Sequence, residues 1–408
     1  MDKYIGYIRN LTTYFGASVI PMMLSLIANP MVACNMSPED YAVSGYYQSF
    51  STLIGPIITF YLVHYYMKEY FRCSEERRIC IFAVIAKMLI WFSGLVSVFC
   101  FVVLYVYLQC FKAGHSLPIL PYLAMMVFAL PLTGLYSLQL AKYRMEKNTK
   151  AFFYLSVGNG LLGVLLIILF VVVIKWGAFG KLLAPLAGNS VIFVYLTLKY
   201  KKVWKIQTKP CEFHPIFVFC MPLALSAMLG YFTQGFSTTY LESAGDTTEY
   251  GIYIVGTSIG SYLTVFATAI GNTFQPDLYE TVIKRQWKRY TMFCLAKVIL
   301  IAMVTLVFIT LAPFIISLLT AGRYVDSTPY ARIIALSTIS SSIYFLVNDY
   351  SIATNRPKLY LYTSILGSIL VVLCMPVVVN KWSYYGGAWM SVASYVMLAI
   401  INLFLLLV

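Results

Sequence analysis

Lys87, Lys297 and Asp349 stand inside long apolar stretches, where a charge is most costly and least expected. A lysine so placed offers a cation to an anion drawn through the same low-dielectric region. A diphosphate is the clearest case, because burying its charge unpaired is prohibitive. An aspartate there offers a titratable site for a coupling ion or a partner for a lysine. Lys87 lies nine residues beyond Arg78 and Lys297 eight beyond Arg289. At ~1.5 Å of rise per residue these steps are about 13 and about 12 Å, so the two lysines reach comparable depth. Snorkelling competes with both assignments, since a long stem can return the ammonium to the interface. Asp349 follows Asn348 and lies seven residues before Arg356, where a satisfied structural polar group is the alternative. His64, four residues before Lys68, is a candidate for a proton or a diphosphate, or an interfacial anchor. Arg323 and Arg332 flank the outer start of a late apolar run, placed to receive an anionic head group or simply to be solvated. Asn29, Asn159, Asn189 and Gln234 are uncharged polar residues in apolar runs; they bond neighbouring helices or face a polar cavity.

The elements that position these residues are membrane helices. Of 408 residues, 61% are hydrophobic and 11% charged, with a mean hydropathy of +0.80. A bilayer core is ~30 Å thick and needs about 20 apolar residues per spanning helix. Twelve such runs recur, near 13–33, 42–66, 79–108, 118–141, 152–174, 178–198, 214–241, 250–275, 291–319, 329–353, 359–379 and 384–407. The first lacks a small-residue cleavage site and is read as a retained span. Connections are short, leaving no room for a separate soluble catalytic domain. The nine cysteines show no metal-ligand spacing and no disulfide framework; most sit inside apolar runs, and Cys34 and Cys110 both fall in connections placed outside, with a bridge between them the minor alternative.

The net charge of +14 is a matter of topology rather than of nucleic-acid binding. Basic residues cluster on alternate connections: Lys68, Arg72, Arg77 and Arg78; Lys142, Arg144, Lys147 and Lys150; Lys199, Lys201, Lys202, Lys205 and Lys209; Lys284, Arg285, Lys288 and Arg289. The opposite connections hold only Lys112, Lys175, Lys181, Arg323, Arg332 and Lys381. Both termini are therefore expected in the cytoplasm. The charged stretch "KYRMEKNTKAFFY", Lys142–Tyr154, becomes an inner turn held at the anionic leaflet.

That stretch has an echo in "DYSIATNRPKLYLY", Asp349–Tyr362. An offset of 209 pairs Gln139 with Asn348, Lys147 with Arg356, Gly158 with Gly367 and Gly177 with Gly386. The same offset pairs Asp40-Tyr41 with Glu249-Tyr250 and Ser49 with Ser258. "IAKML" and "LAKVI", around Lys87 and Lys297, match at 210. Six spans separate the equivalents, so the halves share one orientation, as in parallel-repeat transporters. The expected architecture is all-α and integral to the membrane. It has twelve transmembrane helices in two parallel-related six-helix bundles: a lobe over 1–198, a basic cytoplasmic linker over 199–213 and a second lobe over 214–408. Pro21 and Pro222 fall in corresponding leading helices, where a missing backbone hydrogen bond permits a gate-like bend; proline is also common in membrane helices without such a role. The 34 tyrosines fit either sugar stacking or interfacial belts.

Several stretches carry a family resemblance. "SPEDYAVSGYYQSF" after the first span and "GDTTEYGIYIVGTSIG" after the seventh resemble the polysaccharide branch of the multidrug/oligosaccharidyl-lipid/polysaccharide (MOP) exporters. So do "LLTAGRYVDSTPYARIIALS", "NDYSIATNRPKLY" and "WSYYGGAWMSVASYV", and the chain is most similar to O-antigen flippases of the Wzx type. The resemblance implies two six-helix bundles around a cavity open alternately to cytoplasm and periplasm. It implies, as substrate, an oligosaccharide on undecaprenyl diphosphate, with ion coupling, in the bacterial inner membrane. A polysaccharide polymerase and a chain-length regulator are the protein partners such a role implies, beside the membrane lipids. Members usually place cations in the cavity; here the first span carries no charge after Arg9. No cofactor, metal or nucleic acid is called for. A drug or cation exporter of the same superfamily is the alternative, disfavoured by the scarcity of acids in spans. A membrane-embedded polysaccharide polymerase is the enzymatic alternative, disfavoured by short outer loops and the lack of a DxD pair or nucleophile triad.

Overall fold

The computed structural model describes residues 2–70, 73–110, 117–204, 213–242, 246–353 and 358–407. Among them there is helix and no strand, as a bilayer requires of a chain that cannot leave backbone groups unbonded. The first half holds α1 (Asp2–Cys34), α2 (Pro38–Thr59), α3 (Leu62–Glu69), α4 (Glu75–Cys110), α5 (Tyr122–Met145), α6 (Thr149–Ile167), α7 (Gly177–Lys199) and the short α8 (Lys201–Trp204). The second half holds α9 (Phe213–Leu229), α10 (Tyr231–Gln234), α11 (Phe236–Leu241), α12 (Thr247–Ser261), α13 (Leu263–Ile283), α14 (Trp287–Leu319), α15 (Thr328–Ala353) and α16 (Lys358–Leu407).

Nine stretches among the described residues are long and apolar enough to cross a membrane. The last of them, Leu361–Leu406, runs across a kink in α16 at Ser383 (φ 48°) and so covers the last two expected spans. In α1 the apolar stretch Ile20–Cys34 is shorter than these nine, and α2 carries Glu39, Asp40 and Gln48. The second expected span is broken after α2, where Phe60 and Tyr61 both take positive φ, 48° and 52°. Left-handed backbone costs an L-residue roughly 1–2 kcal/mol. Here aromatic packing offsets it: the Phe60 ring lies 5.4 Å from Phe92 and 5.0 Å from Phe217. The charged turn at Lys142–Tyr154 is capped at the start of α6, with Asn148 Oδ1 accepting from the Ala151 amide at 3.1 Å. Its echo at 354–357 lies outside the described residues. Cys34 and Cys110 do not bridge; each is an exposed free thiol at the end of its own helix.

Packing divides the chain into two compact units, one drawn from residues up to 228 without 38–50, the other from 38–50 and 229–408. In the first, Leu62, Tyr66, Ile85, Leu89, Leu138 and Leu196 form a core. α9 adds Ile216 and Cys220 to that core, and Cys220 Sγ donates to the Tyr61 carbonyl at 3.7 Å. α1 lies along α6 through a hydrogen bond from Ser156 Oγ to the Ala17 carbonyl at 2.7 Å. Residues 205–212 of the basic linker lie outside the described residues.

In the second unit α15 is the central helix. Its sequence "STISSS", Ser337–Ser342, puts hydroxyls where a buried helix would ordinarily carry large apolar groups. The serine hydroxyls turn back on their own helix: Ser337 donates to the Ile334 carbonyl at 2.6 Å and Ser342 to the Thr338 carbonyl at 2.7 Å, while the buried Thr338 hydroxyl has no partner among the described residues. Small side chains satisfied in this way let neighbours approach closely. Gly256 and Gly260 of α12 meet α15 so tightly that a Cβ would lie 2.7 Å from the Ser327 carbonyl oxygen or 2.9 Å from that of Ala331.

The tightest approach involves Gly251, where a Cβ would fall far inside contact distance of the Pro38 carbonyl. Backbone, unlike a side-chain tip, cannot swing away. Gly251→Ala is therefore expected to destabilise the protein by about 1–3 kcal/mol, the usual cost of overpacking. Gly94→Ala, with nothing within 4 Å, is the silent control, and thermal unfolding in detergent compares the two.

Candidate functional site

The structure brings three of the sequence candidates together. Lys297 of α14 is 4% exposed and turns its ammonium onto Asp349 of α15, with 3.9 Å between Nζ and Oδ2. It does not snorkel. Asn348 sits beside this pair, buried, its Oδ1 without a hydrogen-bond partner among the described residues. α13 approaches the ammonium as well: a Cβ at Gly271 would stand 3.7 Å from Lys297 Nζ. On the same two helices as the pair, the rings of Trp287, Tyr290 and Tyr350 cluster, with Tyr290 and Tyr350 6.0 Å apart.

Magnitudes argue against a purely structural pair. At ~4 Å and an effective dielectric of about 20, the attraction is worth on the order of 4 kcal/mol. Desolvating each ion costs several kcal/mol, so such a pair roughly breaks even against an apolar replacement. At 3.9 Å the contact is also too long for a hydrogen bond, and Lys297 Nζ donates none among the described residues. The ammonium thus holds an electrostatic partner while its three donors stay available. Asn348, next to Asp349 in the chain, adds a buried acceptor oxygen without a partner among the described residues.

The remaining candidates are dispersed. Lys87 is half-buried in α4, and the repeat position of Asp349 in the first half is Leu140, so no acid stands at the equivalent place. Gln139, the repeat partner of Asn348, is buried too, with Nε2 unpartnered and Oε1 accepting from the Tyr200 hydroxyl. His64 is exposed and stacked on Tyr61 at 4.6 Å. Asn29 of α1 and Asn159 of α6 are half-buried, Asn189 donates to the Ala129 carbonyl at 3.4 Å, and the Gln234 side chain lies outside the described residues. Pro21 packs where Gly160 leaves room, while α9 continues helically through Pro222 and is interrupted only after Leu229. Arg323 and Arg332 are exposed at the other end of the second unit, Arg332 donating from Nε to the Ile309 carbonyl at 3.1 Å. Gly271, Tyr290 and Tyr350 were not foreseen; their one sequence signal is proximity to Lys297 and Asp349 on helices whose rotation the sequence leaves open.

Beside Arg323, the first residues of α2 join the second unit. Tyr41 meets Tyr324 edge-on at 5.2 Å, and burial pushes the Tyr324 phenol up to about 12, with Arg323 opposing and Asp40 and Glu39 adding to the shift. Thr248 Oγ1 donates to Glu39 Oε1 at 3.3 Å, and Gly45 accommodates the Ile254 side chain. Both contacts join positions 209 apart, as printed by their numbers: repeat equivalents meet one another. Five tyrosines, Tyr46, Tyr47, Tyr250, Tyr253 and Tyr384, are fully buried and belong to neither an interfacial belt nor a sugar platform.

A family described as polysaccharide biosynthesis protein matches residues 83–281. Among solved structures, an inward-facing multidrug resistance MATE family transporter of the MOP superfamily is similar over 96% of each chain, with a TM-score of 0.75 at 13% identity. The lipid II flippase MurJ, in an inward closed conformation, is similar over 98% of this chain and 88% of its own, with a TM-score of 0.70 at 13% identity. A MOP superfamily transporter from Pyrococcus furiosus gives 0.61 at 12% identity over 97% and 94%. No curated protein matches the sequence. The chain has the MOP transporter fold, and its resemblance to the polysaccharide exporters of that superfamily is borne out.

Removing one member of the ion pair strands the other in a low dielectric. Lys297→Met alone is expected to cost about 3–5 kcal/mol, and Lys297→Met with Asp349→Leu to recover most of it. A double-mutant cycle on unfolding in detergent measures the difference.

Proposed function

We propose that this protein is a flippase that carries an oligosaccharide on undecaprenyl diphosphate from the cytoplasmic to the periplasmic leaflet of a bacterial inner membrane. The repeat unit would serve O-antigen or capsule assembly. The observation that carries this reading is the buried Lys297–Asp349 pair within a MOP-fold chain that matches a polysaccharide biosynthesis family. Protonation of Asp349 neutralises the counter-charge and frees Lys297 for the diphosphate. Loss of that proton restores the pair and expels the head group. Neither step leaves the ammonium alone, which is what a low dielectric demands. Asn348 Oδ1 accepts from sugar hydroxyls or from the Lys297 ammonium in the intermediate. By the distribution of basic residues the pair lies toward the cytoplasmic side, where the substrate is made.

Deleting the gene in its host and measuring lipid-linked sugars and surface glycan tests this directly. Complete diphosphate-linked repeats trapped on the cytoplasmic face, with surface glycan lost, is the expected result. Single unpolymerised repeats at the surface would instead point to a polymerase, and an unchanged profile to drug export. On complementation, Lys297→Ala and Asp349→Asn are expected to restore less than about a tenth of the glycan, roughly a 1.4 kcal/mol loss or more. Lys297→Arg should restore part, since it keeps the charge.

A further inference from the structure

A polar cleft and an apolar groove in the second unit share one side chain, Tyr385. The cleft, about 600 Å³, lies between the starts of α12 and α15 and the kink of α16, and is lined by Glu249, Asp326, Tyr330, Arg332 and Tyr385 among others. The groove, about 590 Å³, follows α16 onward through Trp382, Tyr385, Trp389, Val392, Val396 and Met397. All of these residues lie well away from the Lys297–Asp349 pair in sequence, at or below the connections that the basic-residue distribution places outside.

The chemistry of the two parts is complementary and ordered. In the cleft, Tyr330 donates to Glu249 Oε1 at 2.8 Å, which fixes that carboxylate while leaving its second oxygen open. Asp326, on the turn Val325–Ser327, makes no ion pair among the described residues. Arg332 is held by Nε alone, so its terminal nitrogens remain for a ligand. Tyr330 and Tyr385 stand 4.9 Å apart, ring to ring. Two carboxylate acceptors, an aromatic face and one guanidinium suit a hydroxyl-rich head joined to a phosphate. They do not suit a bare diphosphate, which the carboxylates would repel. From Tyr385 to Val396 is eleven residues, about 16 Å of helix at ~1.5 Å per residue. That is roughly half of a ~30 Å hydrocarbon core, the depth of one leaflet. Trp382, Trp389 and Val396 are 54%, 48% and 43% exposed along it.

We propose that cleft and groove together bind a glycosylated isoprenoid lipid from the outer leaflet, saccharide in the cleft and chain in the groove. It is a peripheral exit site, separate from the ion pair. The cleft volume belongs to the range of drug-sized ligands, far more than an ethanolamine head requires. The identity of the head group rests on the flippase reading; the existence of an amphiphile site does not.

The test uses the full-length protein in nanodiscs with a diazirine-bearing, disaccharide-linked isoprenyl phosphate, and a diazirine phosphatidylethanolamine for comparison. The glycolipid probe should label peptides within 382–397 saturably. Label should fall at least fivefold in Asp326→Asn with Arg332→Gln, and likewise in Val392→Trp, which fills the groove, with thermal stability unchanged in both. Lys297→Met with Asp349→Leu, which removes the pair without stranding a charge, should be labelled like the wild type, so loss of transport and loss of this site are told apart. Equal, unsaturable labelling by the phospholipid would mean annular lipid only and overturn the proposal. Saturable labelling by the phospholipid alone would overturn the saccharide assignment, whatever the gene deletion shows.

Discussion

α15 is the helix on which the second unit depends, and its constraint is that a buried helix must find room for its neighbours and partners for its hydroxyls. Its most apolar window is 61% buried, more than any other candidate span. Serine solves both problems at once. The serines are small enough for α12, α14 and α16 to approach, and they spend their hydrogen bonds on their own backbone. A leucine-rich helix would hold its neighbours further off. The glycines of α12 are the matching surface, and their lack of side chains has meaning only against that particular helix.

The same helix carries the polar exception. Near its C-terminal end the self-satisfied pattern stops and Asn348 and Asp349 follow, one with an open acceptor, the other opposite Lys297. Site and scaffold are therefore one element. The most buried of the candidate spans delivers the carboxylate, and the lysine that meets it comes from a separate helix, α14. An ion pair contributes little net stability in such a place.

Much of this was legible in the residues, and the exceptions have physical causes. Hydropathy placed the spans because a bilayer tolerates little else. The offset of 209 is legible in Asp40 and Glu249 and reappears as contact between Glu39 and Thr248. The break at Phe60–Tyr61 was not legible: no glycine or proline marks it, and distant rings from Phe92 and Phe217 hold it. α9 sits with the first unit through Ile216 and Cys220, a matter of packing that span counting cannot see. Lys297 and Asp349 were each conspicuous as charges in apolar runs. Their pairing depended on the rotation of α14 and α15, which a nearly uniform apolar sequence does not encode.

The meeting of repeat equivalents on α2 and α12 has an evolutionary corollary. In a homodimer, a residue on a two-fold axis must face its own copy, so a contact there can only be made of like with like. Fusing the copies into one chain lifts that restriction. Position 45 is glycine while its counterpart at the 209 offset, 254, is isoleucine, and the bulky side chain fills the space the small one leaves. A knob and a hole stand where exact symmetry would require two equal surfaces, so the two positions are not interchangeable.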